Sequence, residues 1–231
     1  MTGLGRSGPP KPCGEARTST VLEIDVKIQS VDDVIRLYAD KAQFPYDLSG
    51  LSQLEHALQA AYLARRTGEP DTFILACLLH DVGHLLHRED AGLAQQGRDD
   101  HHEISGAHIL ARLFGNDVAV PVRLHVAAKR YLCASEDGYF DKLSEDSVRS
   151  LALQGGPMTD EECAIFVSDP YFQQAIALRR IDEAAKEPGA RVPDFAAYLS
   201  TVRRLALPVV LTAKGRLESD DQPIPGATRN W

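Results

Sequence analysis

A chain of 231 residues, 44% hydrophobic and 25% charged, has the material for one ordinary domain with a packed core and short tails. Its net charge of -8 argues against a nucleic-acid backbone as the main partner, which would demand a basic face, and no apolar run approaches the roughly 18–20 residues that cross a bilayer. The N-terminal stretch lacks the apolar centre of a secretory signal, and Cys13, Cys77, Cys133 and Cys163 are scattered without CxxC spacing, so they read as reduced thiols of a cytoplasmic protein.

Residues 1–20, rich in Gly, Pro, Ser and Thr, and residues 208–231, with Glu218-Ser219-Asp220-Asp221 followed by Pro223 and Pro225, read as flexible tails around a domain at 21–207. Within that domain the period is helical. Ser30 can cap a helix from Val31 to about Ala42, with Asp32 and Asp33 in its first turn, where the helix dipole favours anions. Leu51 to Arg66 carries apolar residues at helical spacing and stops at Gly68. The next helix, Asp71 to Leu86, is apolar on nearly every side from Phe73 to Leu79, which places it in the middle of the domain.

A polar loop, His87 to Asp100, leads to a helix over His102–Phe114. Asn116-Asp117 can cap another that reaches about Leu132, and Ser144 to Leu153 forms the next, closed by Gly155-Gly156-Pro157. Thr159-Asp160-Glu161-Glu162 is a capping box for a helix to Phe166. Asp169 can cap one reaching Lys186, and Pro193 starts a last one to about Leu205. With no strand pattern of useful length, the expected fold class is all-α, a helical bundle.

Chemistry enters through the placement of histidines and aspartates. His80-Asp81 closes the most apolar helix, His56 lies midway along the helix before it, His102 and His125 lie in the two that follow, and Asp182 is far downstream. Taken singly, His56, His102 and His125 read as satisfied polar residues. Leu78-Leu79-His80-Asp81-Val82-Gly83-His84 changes the balance, because an ionic dyad on a buried element is costly unless it is paired or metal-bound. Four histidines and two aspartates exceed the needs of one ion and suit two, with one carboxylate bridging; such ligands accept Zn, Fe or Mn alike. His84 follows His80 by four residues and Asp81 by three, so it faces the same way, either for a core hydrogen bond or as a donor to a bound group. His87, His101 and His108 read as surface or structural.

His56, His80-Asp81 and Asp182 resemble the H…HD…D signature of the HD-domain superfamily. Gln53-Leu54-Glu55-His56, Leu78 to His84, His125-Val126-Ala127-Ala128-Lys129-Arg130-Tyr131-Leu132 and Gln154-Gly155-Gly156-Pro157-Met158 narrow the likeness to the PhnZ-type phosphonate oxygenases, with myo-inositol oxygenase as a more distant relative. The resemblance implies an HD-domain helical bundle holding a mixed-valent Fe(II)/Fe(III) pair. One iron falls to His56, His80, Asp81 and Asp182, the other to Asp81, His102 and His125. It further implies O2 as co-substrate, a small anionic organophosphonate as partner, and oxidative cleavage of the C–P bond of a 1-hydroxyphosphonate to a carboxylic acid and phosphate.

By position, Lys129 and Arg179 match the cations that hold the phosphonate, and Ser147, Ser150 and Gln154 its neutral donors. Tyr46 matches a tyrosine that occupies the iron site until substrate arrives. Ser49 stands where the aminophosphonate enzyme has a glutamate for the substrate ammonium. The substrate therefore stays open between 2-amino-1-hydroxyethylphosphonate, its trimethylammonium analogue and a simple hydroxyalkylphosphonate. The HD signature is shared with phosphohydrolases, so a metal-dependent phosphohydrolase acting on a nucleotide or phosphate ester is the alternative.

Overall fold

The computed structural model describes residues 27–43, 50–86 and 99–208. The two expected tails, apart from Pro208, lie outside these residues, as do Tyr46, Ser49 and His87.

Helix α1 (Val31–Lys41) starts where expected: the Ser30 hydroxyl accepts from the Asp33 backbone N–H at 3.3 Å, and the Asp33 carboxylate accepts from Ser30 N–H at 2.8 Å. Ser52 and Glu55 repeat this capping box at the head of α2 (Gln53–Arg66). Helix α3 (Asp71–Leu79) buries every residue from Phe73 to Leu79, as its apolar run predicts. It does not continue to Leu86. The chain leaves the α-helix at His80 and Asp81, then makes a short 3-10 turn over Val82–Leu85. Gly83 shows why: a Cβ there would lie 2.0 Å from the His102 carbonyl oxygen, so the backbone bends against the start of α4 in a contact that only glycine allows.

Helices α4 (His102–Phe114) and α5 (Asn116–Ser135) meet at Gly115, whose φ of 84° and place at the cap displace the expected Asn116-Asp117 cap into the first turn. Helix α5 is the spine, packed against α3, α4, α7 and α8. Helix α6 (Glu145–Leu153) is capped by Ser144 and α7 (Asp160–Val167) by the expected Thr159–Glu162 box. Helix α8 (Phe172–Ala184) begins later than Asp169, because Asp169 and Pro170 form a turn first, in which the Asp169 carboxylate accepts from Tyr171 N–H at 2.9 Å. Asp194, rather than Pro193, caps the 3-10 turn Phe195–Tyr198 that precedes α9 (Leu199–Arg204). Among the described residues no strand forms, and no helix is long and apolar enough to cross a membrane.

Two apolar clusters set the geometry. The larger joins α1 to α4, the first part of α5, and Leu178 and Ala185 at the far end of α8. The smaller, with Leu124, Ala128, Met158, Phe166 and Ala175, fixes α7 and α8 on the second half of α5, and there Phe172 meets Tyr131 and Phe166 edge to face, each at 5.2 Å. The two motif segments that follow His125 also dock on each other. Arg130 Nε donates to Gly156 O at 2.8 Å, and Met158 N–H donates to Arg130 O at 3.2 Å.

Gly83→Ala forces the 3-10 turn and α4 apart. It is expected to cost about 1–3 kcal/mol in urea unfolding and to lower metal content; unchanged stability would contradict the close approach.

Candidate metal centre

Helices α2, α3, α4, α5 and α8 each bring one or two polar side chains to a common point in a dry interior. His56, His80, His125 and Asp182 are each no more than 2% exposed, and Asp81 and His102 are 6–7% exposed. His56 Nε2 faces His80 Nε2 at 3.1 Å, and both lie near Asp81 Oδ2, at 3.6 and 3.3 Å. Asp182 Oδ1 completes this group, 3.3 Å from His56 Nε2 and 3.9 Å from His80 Nε2. On the other side, His102 Nε2 faces His125 Nε2 at 3.2 Å, and each is 3.7 Å from Asp81 Oδ1. One carboxylate thus presents one oxygen to each histidine pair. All six side chains expected as ligands converge.

The far ring nitrogens explain the orientation. His56 Nδ1 donates to Ala185 O at 3.0 Å, His80 Nδ1 to Cys77 O at 2.9 Å, and His125 Nδ1 to Val122 O at 2.7 Å. His102 Nδ1 donates to the Asp100 carboxylate at 2.8 Å. With Nδ1 committed as donor, each neutral ring turns an Nε2 lone pair inward. Two lone pairs facing at 3.1–3.2 Å repel unless a cation, a proton or a metal ion, lies between them. Burial lowers the affinity of His80 for a proton, but Asp81 and Asp182 outweigh it and raise its pKa. His125 goes the other way, pushed down to about 3 by burial and the neighbouring His102. Burial favours a protonated Asp81, yet the facing His80, His84 and His102 hold it well below the usual carboxylate range.

Asp182 Oδ1 is buried without a hydrogen-bond donor. An orphaned carboxylate oxygen, two inward lone-pair pairs and a shared carboxylate fit divalent metal, whose ligand atoms, at about 2.1 Å from the ion, stand roughly 3.0–3.4 Å apart. The residues present can hold metal.

His84 sits in the 3-10 turn with its ring stacked on His102, centroids 3.9 Å apart, and its Nδ1 is 2.6 Å from Asp100 Oδ2. Asp81, His84 and His102 also form a group whose ligand atoms lie within 4.8 Å of one another. Asp100 therefore holds both His84 and His102, a role that no motif announced; its place at the end of a polar loop, two residues before His102, was the available signal. His101 and His108 are exposed, as expected.

Next to the histidines lies a second buried polar group. Lys129, one turn after His125 on α5 and 3% exposed, donates to Ser150 Oγ at 2.7 Å. Burial and the nearby Arg179 push its pKa down to about 7. Arg179, 4% exposed, donates through Nη1 to Asp182 Oδ2 at 2.6 Å, through Nη2 to Ser147 Oγ at 3.2 Å and through Nε to Tyr139 Oη at 3.1 Å. Ser147 and Ser150 thus face the two cations across one turn of α6; Gln154, which caps that helix, has its side-chain oxygen buried with no hydrogen-bond partner. Sequence reasoning placed these five residues but missed Tyr139, which looks like a loop aromatic until the turn after α5 folds it onto Arg179.

An HD-domain family model matches residues 53–171. The chain belongs to the HD-domain family. It is 46% identical over 175 residues to the hydroxymethylphosphonate dioxygenase of Gimesia maris, covering 75% of this chain and 87% of that one. It is 42% identical over 155 residues to the 1-hydroxy-2-(trimethylamino)ethylphosphonate dioxygenase (glycine-betaine-forming) of Leisingera caerulea, covering 67% and 79%. Within the HD-domain family the chain is an oxygenase of the PhnZ type.

Asp100→Asn replaces one of two acceptors by a donor. Metal affinity, read by elemental analysis after dialysis, is expected to fall about 10–100-fold. Lys129→Met is expected to raise the thermal midpoint at pH 7 by a few degrees. In the native chain the folded-state pKa of Lys129 is about 7 against about 10.4 unfolded, so the unfolded chain binds more protons between these values and stability rises with pH across that window. A Tm-against-pH profile unaltered by the methionine would contradict the assignment.

Proposed function

We propose that the chain is an O2-dependent di-iron dioxygenase that cleaves the C–P bond of a 1-hydroxyphosphonate to a carboxylic acid and phosphate. The observation that carries this reading is the Asp81 carboxylate set between two inward-facing histidine pairs, beside the buried cations Lys129 and Arg179. His56, His80, Asp81 and Asp182 would hold one ion, and Asp81, His102 and His125 the other. An iron pair there supplies the one-electron chemistry that O2 requires, which zinc cannot.

The reaction balances as R–CH(OH)–PO3H2 plus O2 giving R–COOH plus H3PO4, with C1 as the electron source and both O2 atoms retained in the products. The protein's share is to bind, orient and exclude water. Lys129 and Arg179 neutralise the phosphonate, and Ser147, Ser150 and Gln154 supply uncharged hydrogen-bonding groups to its oxygens. Because Arg179 also grips Asp182, an anion held there is set at a fixed distance from the ligand side chain. Asp100 occupies Nδ1 of His84, so Nε2 is what that ring offers to the substrate hydroxyl. Tyr46 would guard the iron site as in the family.

The names of the relatives support a hydroxyphosphonate without an N–H ammonium, since one acts on hydroxymethylphosphonate and the other on a trimethylamino compound. Ser49, which has no charge to offer an amine, agrees with both. Free thiols at Cys77, Cys133 and Cys163 support a reducing, cytoplasmic setting.

Iron-loaded protein under air is expected to release phosphate from hydroxymethylphosphonate or the trimethylamino compound, faster than from 2-amino-1-hydroxyethylphosphonate, and to stop without O2. Hydrolysis of a phosphate ester in the absence of O2, with every hydroxyphosphonate left intact, would instead support the phosphohydrolase reading.

A further inference from the structure

Glu183 follows Asp182 on α8 and takes no part in the ligand set. Its carboxylate nevertheless sits in the anion pocket. It pairs with the Arg179 Nη2, accepts from Ser147 Oγ at 3.3 Å, and stands 3.5 Å from Lys186 Nζ, just past the end of the helix. Arg179 Nη2 and Ser147 Oγ are two of the groups assigned to the phosphonate, and here both serve a carboxylate of the protein itself. The Glu183 side chain keeps 18% of its exposure, whereas those of Arg179 and Asp182 keep 4% and 3%, so it is the member of the cluster with room to move.

From these contacts we infer that Glu183 is a resident anion, filling the Arg179–Ser147 subsite in the substrate-free enzyme and yielding it to the phosphonate by swinging to Lys186. This rests on the reading of the pocket as the phosphonate site. The electrostatics require an exchange. A phosphonate dianion on Arg179 Nη2 would meet the Glu183 carboxylate within hydrogen-bonding distance of the same nitrogen, and like charges at such a spacing in a buried site are strongly unfavourable. With Glu183 withdrawn and no anion in its place, Asp182 alone would balance Arg179 beside the buried Lys129, one carboxylate against two cations. Glu183 answers the second problem in the resting state and creates a competition that substrate must win. Lys186, two residues beyond the end of α8 and already within 4 Å of both Asp182 and Glu183, gives the displaced carboxylate a partner without any movement of the helix.

The consequence is a weaker apparent affinity for anions, because only the fraction of molecules with Glu183 displaced is competent to bind. Glu183→Gln keeps the shape and removes the charge. Calorimetric titration of metal-loaded protein with inorganic phosphate is expected to give a Kd about tenfold lower in Glu183→Gln than in the native chain, the gain when a tenth of the population was competent. Glu183→Asp, whose shorter arm retracts from Arg179, should bind more tightly than the native chain but less than the glutamine. Lys186→Met should weaken phosphate binding in the native chain and do much less in the Glu183→Gln background. Equal or weaker phosphate binding in both Glu183 variants, with native metal content, would overturn the proposal while leaving the pocket assignment standing. If native protein binds neither phosphate nor hydroxymethylphosphonate, the pocket assignment and the proposal fall together.

Discussion

The arrangement depends on one carboxylate in a dry place. Asp81 points one oxygen at each of two histidine pairs, and in every one of the four rings the outer nitrogen is already spent on a carbonyl or on Asp100. What remains inward is a set of lone pairs and negative oxygens that only cations can reconcile. The rest of the fold keeps that set together. The apolar helix α3 buries the His80-Asp81 step, Gly83 lets the backbone of His102 close on it, and the aromatic cluster on α5 brings α8 near enough for Asp182.

The buried Lys129–Arg179 group is bonded to the histidine–aspartate cluster rather than merely adjacent to it. Arg179 donates to the second oxygen of Asp182 and to Ser147, so one guanidinium ties the histidine–aspartate cluster to the polar group beside it. Substitutions at Arg179 consequently disturb Asp182 and Ser147 together, whereas the side-chain hydrogen bond of Lys129 runs to Ser150. The same coupling carries an electrostatic cost. Burial, and after it the neighbouring Arg179, depresses the lysine, and Asp182 offsets part of that.

The convergence of the six side chains was legible because these residues have few other reasons to be where they are. A His-Asp step at the end of a helix with no polar face is an anomaly that metal resolves, and the helix boundaries around it follow from caps at Ser30 and Thr159. Where the reading missed, tertiary contact overrode local preference. The helix through His80 stops short of Leu86 because of a backbone approach from α4, which no periodicity reveals. Gly115 took the cap expected of Asn116, a choice of left-handed backbone over side-chain capping. Asp100, Tyr139 and Glu183 went unremarked because each looks ordinary in its own segment: a loop acid, a loop aromatic and a helix-surface charge. Only the fold shows what each one touches.

Anomalous scattering at the iron edge, from crystals of protein produced with iron, tests the central claim most directly. Two peaks roughly 3.5–4 Å apart are predicted on either side of the Asp81 carboxylate, one against His56, His80 and Asp182, the other against His102 and His125. A single peak, or a pair that leaves the His102 and His125 rings without metal, would contradict the account.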